Sequence, residues 1–265
     1  MRRPLVMGIL NLTPDSFSDG GAGRTPAWAV ERALALAAEG ADWLDVGGES
    51  TRPGAPPVSE AEELARVVPA VAAIRKLCAM PISVDTMKPA VARAAIEAGA
   101  DMWNDVSGLR ADGALAAAAK LKRPVILMHM QGEPRTMQDD PRYDDVVEEV
   151  AAFLVSRARA AVDAGVAQEA IWLDPGFGFG KTTAHNLALM RALARFTQLG
   201  FPLAVGVSRK GLIRALDPAA ESPADRLGGS LALALAAARA GAAMVRVHDV
   251  RPTVQALAVA AAVDA

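Results

Sequence analysis

One recurring boundary constrains the fold of this chain more than any other feature. Three predicted helices end in a glycine and an alanine just before an apolar strand, at 40–41, 99–100 and 241–242. Glycine ends a helix readily because it adopts the left-handed backbone conformation without strain. The recurrence indicates one strand–helix unit repeated without linkers, which is typical of an α/β protein with a parallel sheet.

Eight apolar segments are predicted as strands, and helices are predicted between them from their end signals. The strands cover 4–10, 42–46, 81–85, 102–106, 124–129, 171–173, 203–207 and 244–247. Pro26 and Pro89 occupy first helical positions, Ser59 with Glu62 predicts a capping box, and Asp112 is predicted to cap a short helix. Further helices are predicted over 143–164 and roughly 184–196, with two more after the seventh and eighth strands.

Eight strand–helix pairs in about 250 residues predict a (β/α)₈ TIM barrel, a single domain covering residues 1–265. The alternative is an open, doubly wound sheet. Such a sheet more often carries a phosphate-binding turn after its first strand, and the loop over 11–24 lacks that glycine spacing.

The composition excludes several classes of protein. The 28 basic and 30 acidic residues give a net charge of −2, so there is no general electrostatic basis for binding nucleic acid or an anionic membrane. The single cysteine, Cys78, excludes an intrachain disulfide framework and fits a reducing, cytoplasmic compartment. The apolar segment 4–10 lacks a small-residue cleavage site, so we interpret it as a strand rather than a signal peptide.

The segment Asp174–Lys181 follows a predicted buried strand, and in it glycines alternate with Phe177 and Phe179. Glycines let the backbone approach a ligand closely, and the two rings could wall a flat group. Neither the P-loop nor the dinucleotide-binding spacing fits, because Pro175 and Lys181 stand where glycines are required. A glycine-rich turn that only ends the strand remains the alternative.

Polar side chains follow nearly every predicted strand. In a barrel, the ends of the strands meet at one face, where the ligand site lies. Individually these residues have structural interpretations: Asp105 as a cap, Asp45 bonding amides of its own turn, and His129 packed in the core. Together they predict a converging polar site, formed by Asn11, Asp45, Asp85, Asn104, His129, Asp174, Lys210, Arg246 and His248.

The set divides by charge. Asp85, Asn104 and Asp174 with Lys210 suit a flat heterocycle that presents donors and acceptors, such as an aminopyrimidine, because a carboxylate accepts two parallel N–H bonds. Cationic groups beside them, from Arg52, Arg246 and His248, suit phosphate oxygens.

Metal and nucleophile signals are limited. The three histidines lack zinc-ligand spacing, whereas Mg²⁺ held mostly by substrate phosphates and one protein oxygen, with Asn11 as the candidate, fits the pattern. No serine or cysteine stands in a triad context.

Seven motifs in order resemble the bacterial dihydropteroate synthase family, across Val6 to about Val250. They begin at Asn11 (NLTPDSFSDGG), Asp45 (DVGGESTRPG), Ser83 (SVDT), Leu127 (LMHMQG), Leu173 (LDPGFGFGK), Ser208 (SRK) and Arg246 (RVHD). The resemblance implies a pterin-binding TIM barrel of folate biosynthesis. Such an enzyme condenses a dihydropterin methyl diphosphate with 4-aminobenzoate, releases diphosphate with the help of Mg²⁺, and is usually a homodimer.

The resemblance also assigns roles. Pterin would be held by Asp85, Asn104, Asp174 and Lys210, Mg²⁺ by Asn11, and diphosphate by Arg246 and His248. The aminobenzoate site, which sulfonamides occupy, would be framed by Phe17, Thr51, Arg52, Pro53, Phe179 and Ser208. Arg52, Lys210, Arg246 and His248 would be the catalytic residues.

Two other classes remain open at this stage. A pterin-binding module of the kind found in folate-dependent methyltransferases needs no diphosphate or aminobenzoate site, and the segments Thr51–Pro53 and Ser208–Lys210 argue against it. A non-catalytic paralogue would be expected to lose the loop residues Asn11, Arg52 and Lys210, which are all present.

Overall fold

The computed structural model describes residues 3–13 and 25–264. Its eight strands are β1 (Leu5–Asn11), β2 (Trp43–Gly47), β3 (Ile82–Asp85), β4 (Met102–Asp105), β5 (Val125–Met128), β6 (Ile171–Asp174), β7 (Ala204–Val205) and β8 (Met244–Val247). All pairs are parallel, in the order β6-β5-β4-β3-β2-β1-β8-β7. A parallel bridge between Leu173 and Leu203 joins the two ends of the sheet, so the predicted barrel is confirmed.

Helices connect the strands on the outside of the barrel. They are α1 (Pro26–Ala38), α2 (Glu60–Leu77), α3 (Pro89–Glu97), α4 (Ala114–Leu121), α5 (Val146–Asp163), α6 (Thr183–Arg191), α7 (Leu193–Thr197), α8 (Gly211–Leu216), α9 (Leu227–Arg239) and α10 (Val250–Val263). In this described part of the chain, no helix is long and apolar enough to cross a membrane.

Several predicted details are wrong. Gly113, not Asp112, caps α4, and its positive φ of 75° suits glycine. Only half of the second helix's capping box forms: the amide of Glu62 donates to Ser59, but its carboxylate pairs with Arg66 instead. The predicted helix over 184–196 is interrupted at Ala192, and the seventh strand keeps only two residues.

Inside the barrel, the lower layers are apolar. Met7, Met102, Ile126, Ala204 and Met244 form a buried cluster, with Trp43 and Trp172 packed against it. Side chains two residues apart on a strand point to the same side. The next inward positions are therefore Asp45 after Trp43, Asn104 after Met102, Asp174 after Trp172 and Arg246 after Met244. Two residues further along each of these strands, the side chains inside the barrel therefore change from apolar to polar or charged.

The loop after β6 is tied down by Lys181, which is 3% exposed. Its Nζ donates to the carbonyl oxygens of Gly176 (2.9 Å) and Phe179 (3.0 Å) and lies 2.8 Å from Nδ1 of His129. The His129 ring packs edge-on against Phe153, with ring centroids 4.8 Å apart. The structural interpretation of His129 is thus confirmed, and Lys181 links the glycine-rich loop to the end of β5.

A substitution at Gly176 would test how closely this loop approaches the end of β5. Its φ is +69°, and a Cβ added there would lie 1.8 Å from the carbonyl oxygen of His129. We expect Gly176→Ala to lower the free energy of unfolding by about 3 kcal/mol, through left-handed strain and overpacking together. The control is Gly200→Ala, where φ is +84° and nothing lies within 4 Å; it should lose only about 1 kcal/mol. Equal losses in a urea titration would contradict the close approach.

His129, in the same contact, should make the folded protein less stable at low pH. Burial, and then the charge of Lys181, lower its pKa from 6.5 to about 2. Below pH 6.5 the unfolded chain therefore binds a proton at this histidine that the folded protein does not bind. As the pH is lowered, this group reduces the free energy of unfolding by about 1.4 kcal/mol for each pH unit. His129→Gln should remove that slope in unfolding titrations at pH 6 and pH 5.

The control for this measurement is Met128→Leu, because Met128 is also buried (4% exposed) and does not titrate. It should lower stability by the same amount at both pH values. An undiminished acid slope in His129→Gln would mean that the folded protein can protonate this imidazole.

Candidate active site

The polar ends of the strands open into one cavity of about 510 Å³ at the C-terminal mouth of the barrel. Ten of the predicted site residues line it: Asn11, Thr51, Arg52, Pro53, Asp85, Phe179, Ser208, Lys210, Arg246 and His248. Asn104 and Asp174 are buried next to this lining, and Phe17 falls outside the described residues. The residues predicted from separate motifs therefore meet at one cavity.

Arg246 connects the acidic residues. Its Nε donates to Oδ2 of Asp45 at 2.5 Å, and its Nη2 donates to Oδ2 of Asp85 at 2.7 Å. Burial opposes the charge of Arg246, but the two carboxylates outweigh burial and raise its pKa. Asn104 lies beside Asp85 in the sheet and donates its Nδ2 to the same Asp45 oxygen at 3.2 Å. The proposal that Asp45 bonds its own turn is thus wrong.

Burial raises the pKa of Asp85 to about 7, and the nearby charge of Arg246 opposes the rise. Burial also raises the pKa of Asp174, whose Oδ1 accepts a hydrogen bond from the Gly176 amide at 2.7 Å. Two carboxylates that are poorly solvated in this way are suited to a ligand that donates N–H groups.

Lys210 lies over the Phe179 ring, with Nζ 4.3 Å from the ring centroid. Burial, followed by the charge of Arg246, lowers its pKa to about 8. The negative charges of Asp174 and Asp85 oppose this lowering of the pKa. The cation and the ring together form one wall of the cavity.

His248 is held by Ser208, whose Oγ accepts from the His248 amide (3.2 Å) and lies 3.1 Å from its Nδ1. Burial, together with Arg246, Arg209 and Arg52, lowers the pKa of His248 well below 6.5. At neutral pH it is a neutral imidazole surrounded by cations, so it can bind an anion by a hydrogen bond but not by charge.

The second loop, which carries Thr51–Pro53, is anchored by a partly buried ion triad that the motifs did not reveal. Lys88 lies 2.6 Å from both Glu49 and Glu63, and Glu49 also accepts from the amide of Val58 at 2.9 Å. Glu63 is 0% exposed. It lies four residues before Val67, on the apolar face of α2, and that spacing is the sequence signal for its burial.

Asn11, the predicted metal ligand, lies at the end of β1 in the cavity lining. The described residues contain no group of three or more His, Cys, Asp or Glu side chains that could hold a metal ion. The donor set therefore fits a hard cation only if a ligand supplies most of the oxygens.

Asp105 has the structural role that the sequence predicted for it. It caps its own turn by accepting hydrogen bonds from the amides of Ser107 and Leu109.

Known proteins resemble the chain over almost its whole length. Residues 7–248 match the family model described as pterin binding enzyme. Dihydropteroate synthase of Escherichia coli strain K12 is 51% identical over 259 residues, covering 98% of this chain and 91% of that protein.

Solved structures agree. A Xanthomonas albilineans dihydropteroate synthase with 4-aminobenzoic acid is 54% identical with a TM-score of 0.93, and the match covers 99% of this chain and 94% of that one. The enzyme from the same organism in complex with 7,8-dihydropteroate is 51% identical with a TM-score of 0.90, at the same coverage. The chain belongs to the pterin-binding enzyme family, among the dihydropteroate synthases.

Proposed function

We propose that the chain condenses (7,8-dihydropterin-6-yl)methyl diphosphate with 4-aminobenzoate to give 7,8-dihydropteroate and diphosphate, a transferase step of folate biosynthesis. One observation carries the proposal: acceptors for a heterocycle lie in or directly beside the lining of the cavity that also carries cations for a diphosphate. Relatives that are about half identical carry the name of this activity.

Asp85, Asn104 and Asp174 bind the N–H groups of the pterin ring, and Lys210 supplies a donor to the ring's acceptors. Oxygens of the diphosphate bind Arg52, Arg246 and His248. The aminobenzoate lies against Phe179, Ser208 and the second loop, with Phe17 contributing as the resemblance implies. Acceptors from the carboxylates and a donor from Lys210 in one site favour a ring with both donors and acceptors over a simple aromatic ring.

The reaction is a dissociative displacement. The bond between the pterin methylene carbon and the diphosphate oxygen breaks, and the electron pair leaves with diphosphate. The aniline nitrogen then forms the new C–N bond and loses its proton. Asp85 and Asp174 favour the cationic ring, while Arg52 and Arg246 neutralise the leaving group. Because the amine attacks in its neutral form, no strong base is needed.

Mg²⁺ is part of the proposal. Asn11, at the end of β1 and in the cavity lining, supplies one amide oxygen, and the diphosphate supplies further ligands. When bound, the ion neutralises charge on the diphosphate.

A cytoplasmic homodimer completes the proposal. The single cysteine fits a reducing compartment. Val259 and Val263 at the end of α10 are 60% and 76% exposed, an apolar surface that a second copy would cover.

Diphosphate release tests the reaction directly. With both substrates and Mg²⁺, the protein should release one diphosphate for each dihydropteroate formed. Release should fall to background without 4-aminobenzoate, because no amine is present to form the new C–N bond, and also after Mg²⁺ is chelated. Pterin binding without any diphosphate release would instead indicate a pterin-binding module of the methyltransferase kind.

Lys210 should be important for turnover. Lys210→Met removes a cation from the cavity lining, and kcat/KM for the pterin diphosphate should fall by about 100-fold. Lys120→Met is the matched control, because Lys120 is exposed on α4, and its kcat/KM should equal that of the wild type. A fall of less than about threefold in Lys210→Met would remove Lys210 from the ring site.

A further inference from the structure

Arg246 holds two carboxylates that differ in their access to ligands. Asp85 and Arg246 line the cavity, with side chains 11% and 23% exposed. Asp45 is 0% exposed and is not part of the lining. A ligand in the cavity can therefore compete for the Nη2 edge of the guanidinium but not for the Nε edge.

The two carboxylates also differ in what the proposed substrate requires of them. The ring needs acceptor oxygens on Asp85, and Arg246 occupies one of them at 2.7 Å. The diphosphate on the same substrate offers Nη2 an anionic replacement. When the substrate binds, the ring can replace Arg246 at Asp85 while the diphosphate replaces Asp85 at Nη2. Neither buried charge is then left unpaired, which would be strongly unfavourable.

Asp45 also sets the orientation of Asn104. An ionised carboxylate only accepts hydrogen bonds, so the amide group that faces it must be Nδ2. The carbonyl oxygen of Asn104 is therefore left to accept from a ligand. One buried oxygen of Asp45 fixes both an arginine and an amide of the proposed site.

The other oxygen of Asp45, Oδ1, is buried and has no hydrogen-bond partner among the residues that the structure describes. Leaving such an acceptor unsatisfied is destabilising by roughly 1–3 kcal/mol, so Asp45 is a poor choice for stability alone.

We propose that Asp45 is a positioning residue that holds the Nε edge of Arg246 while the Nη2 edge moves from Asp85 to the substrate's diphosphate. The inference rests on the proposed function. Without Asp45, Asp85 is the only carboxylate among the described residues that pairs with Arg246, and the pterin ring must compete with Arg246 for the same oxygens. Asp45 then acts on the reaction only through Arg246 and Asn104, and it never touches the substrate.

A double-mutant cycle tests this dependence, with kcat/KM for the pterin diphosphate as the readout. Asp45→Asn should lower kcat/KM by about 10-fold to 100-fold, as loss of a supporting hydrogen-bond partner does elsewhere. In the Arg246→Ala background the same change should cost no more than about twofold, because the arginine is gone and the amide oxygen of an asparagine at position 45 can still accept from Asn104. A purely structural role predicts equal, additive losses in both backgrounds, which would overturn the inference.

Ser83→Ala is the matched control. Ser83 pairs with Asp45 across β2 and β3, is 0% exposed, and has no partner for its Oγ within the described ranges. Removing this hydroxyl changes the same layer without touching Arg246, so kcat/KM should stay within about twofold of the wild type. A loss as large as that of Asp45→Asn would mean that any change in this layer is sufficient.

Two further measurements cover the remaining outcomes. If Asp45→Asn does not fold, Arg246→Lys replaces it: one ammonium cannot hold Asp45 and diphosphate together, so less than about a tenth of the activity should remain. Near wild-type activity would contradict the inference. If the wild type releases no diphosphate, the proposed function fails, and the same cycle is measured by titration with inorganic diphosphate and Mg²⁺. Additive losses there would also overturn the role of Asp45.

Discussion

The site depends on one geometric constraint, the alternation of side chains along parallel strands. Positions two residues apart share a face, so the inward residue that follows each apolar filler of the barrel is fixed by the sequence. Met244 is followed by Arg246, Met102 by Asn104 and Trp172 by Asp174. Apolar layers close the bottom of the barrel, and the charged layer above them lies at the mouth.

Placing several charges in that layer is unfavourable unless they neutralise one another. Burial raises the pKa of Asp85 and Asp174 and lowers that of Lys210, which is the direction expected for poorly solvated charges. Arg246 compensates part of this by bonding two carboxylates with two edges of one planar group. A substrate with a donor-rich ring and an anionic tail matches both halves of this arrangement.

Much of the fold could be predicted because its signals are local. Glycines at helix ends and apolar strands at regular spacing identified the barrel, and positions at the ends of strands identified where polar residues would meet. Motifs supplied the second loop and Ser208. The sequence could not reveal the partners of Asp45, because Arg246 is 201 residues away and only closure of the barrel brings them together. It also could not reveal that Lys181 is a structural anchor, because four acceptors from two segments define its role.

The interruption of the sixth helix at Ala192 and the shortness of β7 were also missed, since both depend on packing rather than on local propensity. The ion triad of Glu49, Lys88 and Glu63 carries a weak signal, a glutamate on an apolar helix face. The sequence does not show that this glutamate is paired, because its partner Lys88 and the second glutamate, Glu49, come from other parts of the fold.

A crystal structure of the chain with the substrate's pterin ring bound would test the central claim most directly, which is that the inward polar layer holds one heterocycle. We expect the N–H edge of the ring at about 2.7–3.0 Å from oxygens of Asp85 and Asp174, with Arg246 still bonded to Asp45. A ring bound elsewhere, with the Arg246–Asp85 contact intact, would contradict the account.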